Sequence, residues 1–259
     1  MSGHKDRMTR KRKQERGVSP ANSYGGDMYG INEWVLNDEQ KALRELIYTK
    51  DIVFCDSKAG VGKSSSILYS YVEQYLRDKY KKIVIIRQPV EVGPDKIGAL
   101  PNGLDDKLEP HFIAYRDILE ELLNKGKVEC DFNKRIFFMP SNFAIGRSFH
   151  DSLILITEAQ QMPPMILKML LERIGRNSVC VVEGDSSQMY TTDGRRNGLS
   201  AAVKIFFDEY GCTRRYEWTD SLAFYRFSNK YNMRSDIVQI VNDAYEEYGN
   251  GKGETSSSN

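Results

Sequence analysis

No stretch of this 259-residue chain approaches the roughly 20 apolar residues that a bilayer-spanning helix needs. The first residues, Met-Ser-Gly-His-Lys-Asp-Arg, lack the apolar segment of a secretory signal. A cytoplasmic protein with no membrane partner is expected. Cysteine and histidine are scarce. Cys55, Cys130, Cys180 and Cys212 form no C-x-x-C spacing, and Cys55 and Cys180 sit inside strand-like runs. All four read as reduced and structural. His4, His111 and His150 are too scattered to suggest a zinc site. His150 has the chemistry for catalysis, but a structural or solvent-facing role is the commoner use of a lone histidine.

Net charge is also nearly absent, at +1, but it is unevenly placed. Lys5, Arg7, Arg10, Lys11, Arg12, Lys13 and Arg16 against Asp6 and Glu15 give residues 1–16 a net +5 (7 − 2), which leaves about −4 for the rest. Such an arm has the charge to touch nucleic-acid phosphates; a solvated, disordered tail is the equal alternative. Residues 1–26 are expected to be a disordered basic arm and 249–259 a disordered Gly- and Ser-rich tail, with one folded domain over 27–248.

Inside that domain, strand and helix patterns alternate. Short runs rich in Ile, Val, Leu and Phe mark strands at 51–56, 82–87, 135–139, 152–157, 178–183 and 214–218. Several are apolar on both faces, as buried parallel strands require. Helical patterns cover 38–48, 63–79, 109–123, 163–174, 198–210 and 235–248, with Phe112, Ile113, Tyr115, Ile118, Leu119 and Leu122 at helical spacing. The alternation predicts an α/β fold: a doubly wound, mainly parallel sheet with helices on both faces.

Residues 57–64 read Ser-Lys-Ala-Gly-Val-Gly-Lys-Ser, directly after a strand and before an amphipathic helix. That context marks a phosphate-binding P-loop. Gly60 and Gly62 let the backbone turn its amides inward, and these with the helix N-terminus suit the α- and β-phosphates of a nucleotide such as ATP. Lys63 is placed for the β- and γ-phosphates, and the Ser64 hydroxyl for Mg²⁺. The predicted nucleotide contacts are Ser57, Lys58, Ala59, Gly60, Val61, Gly62, Lys63, Ser64 and Ser65. Ser57 replaces the first glycine of G-x-x-x-x-G-K-[ST], which is acceptable if its φ stays negative.

A second apolar strand, 153–157, ends in Thr157-Glu158. An acid there reaches the metal and the attacking water, making Glu158 the base or water-positioning group. The aspartate usual before it is absent. Thr157 can bond a Mg²⁺-bound water but adds no charge, so weak hydrolysis is expected, and Thr157→Asp should raise it. A third strand ends in Gly184-Asp185, and Gln188 is placed to sense the γ-phosphate.

Together these segments resemble the PhoH-like family of P-loop ATPases. The likeness spans roughly residues 33–241. It is carried by 57–64, 87–93 (RQPVEVG), 97–104 (IGALPNGL), 143–149 (FAIGRSF), 156–160 (ITEAQ), 184–188 (GDSSQ), 197–199 (NGL), and Arg234 with Ile237 and Val238. The 87–104 stretch is the most family-specific. The family's pattern has Gly, Asp, and Thr or Pro where this chain has Ser57, Thr157 and Lys58. The family is similar to the first RecA-like domain of superfamily one helicases. The resemblance implies ATP and Mg²⁺ as cofactors and a homo-oligomeric, hexameric ring. It also implies RNA or single-stranded DNA as partner. The compact form is similar to phage-encoded members, which work in host cytoplasm. Asn37-Asp-Glu-Gln40 matches the adenine-reading pattern of superfamily one, giving Gln40 that role. Arg234 matches an arginine the family places at the start of the last helix, where it would serve as a finger in trans.

Two functions fit best: an ATPase coupled to nucleic acid, or a slow or inactive nucleotide-gated oligomeric module. A small-molecule kinase would need a substrate lid and fits the spacing less well. Arg147, Arg195, Arg196, Arg214 and Arg215, with Tyr190 or Phe149 stacking on bases, could supplement the basic arm on nucleic acid.

Overall fold

The computed structural model describes residues 31–58, 60–89, 104–188 and 197–228, with helical positions 237, 240, 241 and 244. The expected arm and tail, and most of the helix expected over 235–248, lie outside these residues. Helix α1 (Asp38–Thr49) opens on a capping box: Asn37 Oδ1 accepts the Gln40 N–H while Gln40 Oε1 accepts the Asn37 N–H, each at 2.9 Å. Then come β1 (Ile52–Asp56), α2 (Lys63–Leu76), β2 (Lys82–Arg87), α3 (Leu104–Leu123), α4 (Lys125–Asp131) and β3 (Ile136–Pro140). The rest are α5 (Ser141–Ala144), β4 (Ser152–Thr157), α6 (Pro164–Leu171), β5 (Val179–Gly184), α7 (Gly198–Phe206) and β6 (Leu222–Tyr225).

The six strands pair in parallel throughout, in the order β3-β2-β4-β5-β1-β6. Alternate residues therefore feed two cores. Val53, Ile83, Ile85, Leu153, Leu155 and Val181 pack with α1, α2 and α3 on one face. Phe54, Val84, Ile86, Ile154, Ile156, Cys180 and Val182 pack with α6 and α7 on the other. This is the doubly wound α/β sheet that the two-sided apolar runs require. Because all strands run one way, their carboxyl ends share an edge, where open parallel sheets bind ligands.

Five expected strands fall within a residue of those observed. The sixth does not. Residues 214–218 form an exposed segment with a 3-10 turn at Tyr216–Trp218, and β6 lies further on, paired to β1 from Ile52↔Leu222 to Cys55↔Tyr225. Arg214, Arg215 and Glu217 would put charge on both faces of a strand, whereas Leu222–Tyr225 offers four consecutive apolar or aromatic residues. Helix α3 also starts earlier than expected, at Leu104, so Pro110 lies inside it. Ile113, assigned to its apolar face, is 52% exposed.

Tyr71 ties α2 to the centre of the sheet. Its buried hydroxyl donates to the Ile154 carbonyl of β4 at 2.6 Å and accepts the Val181 N–H of β5 at 3.1 Å. Removing that hydroxyl takes a hydrogen bond from each of two buried backbone groups. Tyr71→Phe is expected to cost about 1–3 kcal/mol in a urea titration; an unchanged midpoint would mean that the strands close up and pair without it.

Candidate functional site

The loop after β1 continues the β1–β5 pairing by one bond, from Ser57 N–H to the Gly184 carbonyl at 3.0 Å. Ser57 Oγ then accepts the Phe227 N–H at 2.8 Å, anchoring the loop to the chain beyond β6, a bond glycine could not make. The left-handed turns fall on Gly60 (φ 91°) and Gly62 (φ 82°), and Ser57 is not among the positive-φ residues. Serine is thus tolerated where the motif has glycine. Gly62 caps α2 without a side-chain hydrogen bond, so the first-turn amides have no capping side chain to satisfy them. Lys63 Nζ donates to the Ser57 carbonyl, and to the Lys58 carbonyl at 2.9 Å.

Two strand ends face this loop. At the end of β4, Thr157 is buried and its hydroxyl bonds that of Tyr115 from α3. Glu158 follows in the left-handed region (φ 53°, ψ 40°), a conformation that costs a non-glycine residue roughly 1 kcal/mol or more. Gln160 holds this turn: its Nε2 donates to Glu158 Oε2 at 2.7 Å and its Oε1 accepts the Asp185 N–H at 3.2 Å. At the end of β5, Glu183 is 2% exposed. Its carboxylate accepts the Ser64 hydroxyl at 2.9 and 3.0 Å and the Tyr115 hydroxyl at 3.3 Å. Burial pushes the Glu183 carboxyl above its ordinary range, with the Lys63 ammonium and the Ser64 hydroxyl pulling the other way. Burial likewise raises the Tyr115 phenol well beyond its ordinary value, so it remains a donor.

These groups line one cavity of about 390 Å³: Gly60, Gly62, Lys63, Ser64, Ser65, Thr157, Glu158, Asp185 and Gln188, with Arg87, Tyr115 and Glu183. Most of the predicted cradle is thus together with the predicted acid and sensor. Val61 is buried in the core beside α2 and does not line the cavity. Ser57 and Lys58 line a second cavity, with Asp56 and Arg226, and not the first. Gln40 is buried and occupied in the capping box, away from the phosphate cavity. Ala59 and Arg234 lie outside the described residues, as do Tyr190, Arg195 and Arg196.

The profile described as PhoH-like protein matches residues 35–246. The chain belongs to the PhoH family. This is generally a family of ATP-binding P-loop proteins. A PhoH-like protein of Synechocystis sp. is 29% identical over 208 residues, covering 80% of this chain and 60% of the relative. One from Bacillus subtilis is 31% identical over 197 residues, covering 76% and 58%. Protein PhoH of Escherichia coli K12 is 26% identical over 212 residues, covering 81% and 57%. The chain therefore spans about three fifths of the length of these relatives.

One expected nucleic-acid contact fails on burial. Phe149 cannot stack on a base: it is 7% exposed, bridged to Ile174 and packed in the core beside α6. Arg214 and Arg215 are exposed; Arg214 also donates to the Lys204 carbonyl, and Arg215 lies over the Trp218 ring. His150 is exposed and accepts the Arg176 N–H at 3.0 Å, in line with the structural or solvent-facing role expected of it. Arg87, Tyr115 and Glu183 went unnoticed as site residues. Glu183 left one signal: an acid at the end of an apolar run, Val-Cys-Val-Val-Glu, in a strand buried on both faces.

Gly184 is the position where the site is tightest. A Cβ there would run into Gln160 Oε1 and come within 2.9 Å of Leu199 Cδ2. Gly184→Ala is expected to displace Gln160 and release Glu158 from its turn, with a loss of about 1–3 kcal/mol in chemical denaturation. Wild-type stability would show that Gln160 can move freely and is not the clamp on Glu158.

Proposed function

We propose that this PhoH-family chain binds ATP with Mg²⁺ over the β1–α2 loop and hydrolyses it. The observation that carries the reading is the single cavity joining Lys63 and Ser64 to Glu158, Asp185 and Gln188. Its volume of about 390 Å³ suits a small ligand. In this reading the α2 N-terminus and the loop amides hold the phosphates, and Lys63 supplies the point charge. Arg87, whose guanidinium donates to the His111 carbonyl at 3.1 Å, brings a second cation to the cavity. Glu158 positions or deprotonates the attacking water, and Gln188 orients it.

The donors fit Mg²⁺, which favours oxygen ligands and shares them with substrate phosphates. Ser64 would be a direct ligand and Thr157 a partner of a metal-bound water. The metal, when bound, neutralises charge developing on the phosphates. Among the described residues no cluster of three or more His, Cys, Asp or Glu forms a protein-only metal cage. Adenine recognition falls to the start of α1. Support comes from Asn37 Nδ2, buried without a hydrogen-bond partner, beside Gln40. A second reading, slow turnover in a nucleotide-gated module, is favoured by Thr157, which is uncharged and engaged by Tyr115.

Coupling to RNA or single-stranded DNA, and assembly into a hexameric ring, extend the proposal on the strength of the family resemblance. In a ring, Arg234 would reach the γ-phosphate of a neighbouring copy, a contribution of roughly a thousandfold or more in rate. The site of action in this reading is the cytoplasm; no helix among the described residues is long and apolar enough to cross a membrane.

Lys63→Ala is expected to abolish ATP·Mg²⁺ binding in calorimetry or weaken it at least tenfold; unchanged affinity would sink the phosphate-loop reading. For the ring, Lys63→Ala subunits mixed with Arg234→Ala subunits should regain ATPase activity that neither variant shows alone. No recovery despite demonstrated subunit exchange would rule out a finger in trans.

A further inference from the structure

A carboxylate buried to 2% exposure is costly unless a cation or a full set of donors compensates it. Glu183 accepts from the hydroxyls of Ser64 and Tyr115, while the Lys63 ammonium, engaged with the Ser57 and Lys58 carbonyls, acts on it only through space. One of these, Ser64, is the hydroxyl that a P-loop presents to its metal. Octahedral Mg²⁺ with ligands at 2.0–2.1 Å sets neighbouring ligand oxygens about 2.9 Å apart. The Glu183 oxygens stand 2.9 and 3.0 Å from Ser64 Oγ. That spacing serves a hydrogen bond between the two groups and equally adjacent places on one cation. Both line the phosphate cavity.

Strand pairing explains how Glu183 can take this role. β4 and β5 are in register from Leu153↔Val179 to Ile156↔Val182. One step further, Thr157 lies beside Glu183, and the Tyr115 hydroxyl touches both. The carboxylate missing from the end of β4 is present on the next strand, one step nearer the loop. We propose that Glu183 is the carboxylate that holds the divalent cation of this site, with Ser64, in place of the acid that Thr157 lacks. This rests on the Mg-nucleotide reading of the cavity. It also revises the expectation for Thr157: an aspartate added there crowds a second negative charge against Glu183. The acid has to be moved from β5 to β4, not added.

The test uses the full chain, Mn²⁺ as the metal probe and a non-hydrolysable ATP analogue. Free Mn²⁺ is followed by electron paramagnetic resonance, and analogue affinity by calorimetry with Mg²⁺ or with EDTA. Glu183→Gln keeps the side chain's size and takes a negative charge away from the phosphates, so it should bind the analogue in EDTA no more weakly than wild type. Its Mn²⁺ affinity should fall at least tenfold, and the Mg²⁺-dependent gain in analogue affinity should vanish. Thr157→Asp alone should gain no Mn²⁺ affinity, while Thr157→Asp/Glu183→Gln should recover most of what Glu183→Gln lost. Wild-type Mn²⁺ affinity in Glu183→Gln would overturn the inference and leave the nucleotide site standing. Failure of the wild-type chain to bind the analogue under either condition would instead overturn the nucleotide reading itself.

Discussion

Hydrogen bonding between three parallel strands, β4 to β5 and β5 to β1, sets where the loop, Thr157, Glu158, Glu183 and Asp185 stand. The ladder pairs Asp56 with Gly184 and runs on into the loop through the Ser57 N–H. Because side chains alternate at period two and the strands share a direction, a slip of one residue would turn Glu183 away from Ser64 and into a core. Register is therefore specified by the apolar residues on both faces, far from the chemistry. Val181 and Val182 face opposite cores, as do Leu155 and Ile156. Packing of ordinary aliphatic residues positions the acid.

The loop itself is held from outside the phosphate side. Asp56 accepts from Ser186 N–H at 2.9 Å, from Ser186 Oγ at 2.7 Å and from the Arg226 guanidinium at 2.8 Å. With the Ser57–Phe227 bond, these fasten β1, the turn after β5 and the segment after β6 to one another. The buried carboxylate of Asp56 is thus compensated by a cation and two further donors. Glu183, buried one strand away, accepts hydrogen bonds from hydroxyls and feels the Lys63 ammonium only through space. The contrast separates a structural acid from one whose charge faces the cavity.

Much of this was legible in the sequence. Two-sided apolar runs located five strands, and the Gly-Val-Gly-Lys-Ser turn between strand and helix located the cradle. Three features were not. β6 was missed because four residues carry too little pattern to compete with a neighbouring run containing Tyr216 and Trp218. Arg87 and Tyr115 belong to elements whose place beside the loop depends on sheet order, since β2 and α3 meet the cavity only after the chain has passed over β5 and β4. Phe149 looked available for stacking because nothing local indicates that its backbone bridges Ile174 and turns the ring inward. Pairing between distant segments decides all of these, and local periodicity does not report it.

The position of the acid has a physical consequence of its own. Neighbouring strands lie about 4.8 Å apart, so a carboxylate moved from the end of β4 to the end of β5 shifts by about one strand spacing toward β1. There it meets Ser64 directly. An acid at 157 would be consecutive in sequence with Glu158; on β5 the acid still feels the Glu158 charge, which pushes its carboxyl up. With threonine at 157, the β4 end carries one acid, held by Gln160 in a left-handed turn. The Thr157 hydroxyl and the Tyr115 phenol share a hydrogen bond, and the phenol reaches on to Glu183. The two carboxylates are thereby divided between two strands with separate partners: Gln160 for Glu158, Ser64 and Tyr115 for Glu183. Such a division lets one acid serve water and the other serve the metal without competing for the same donors.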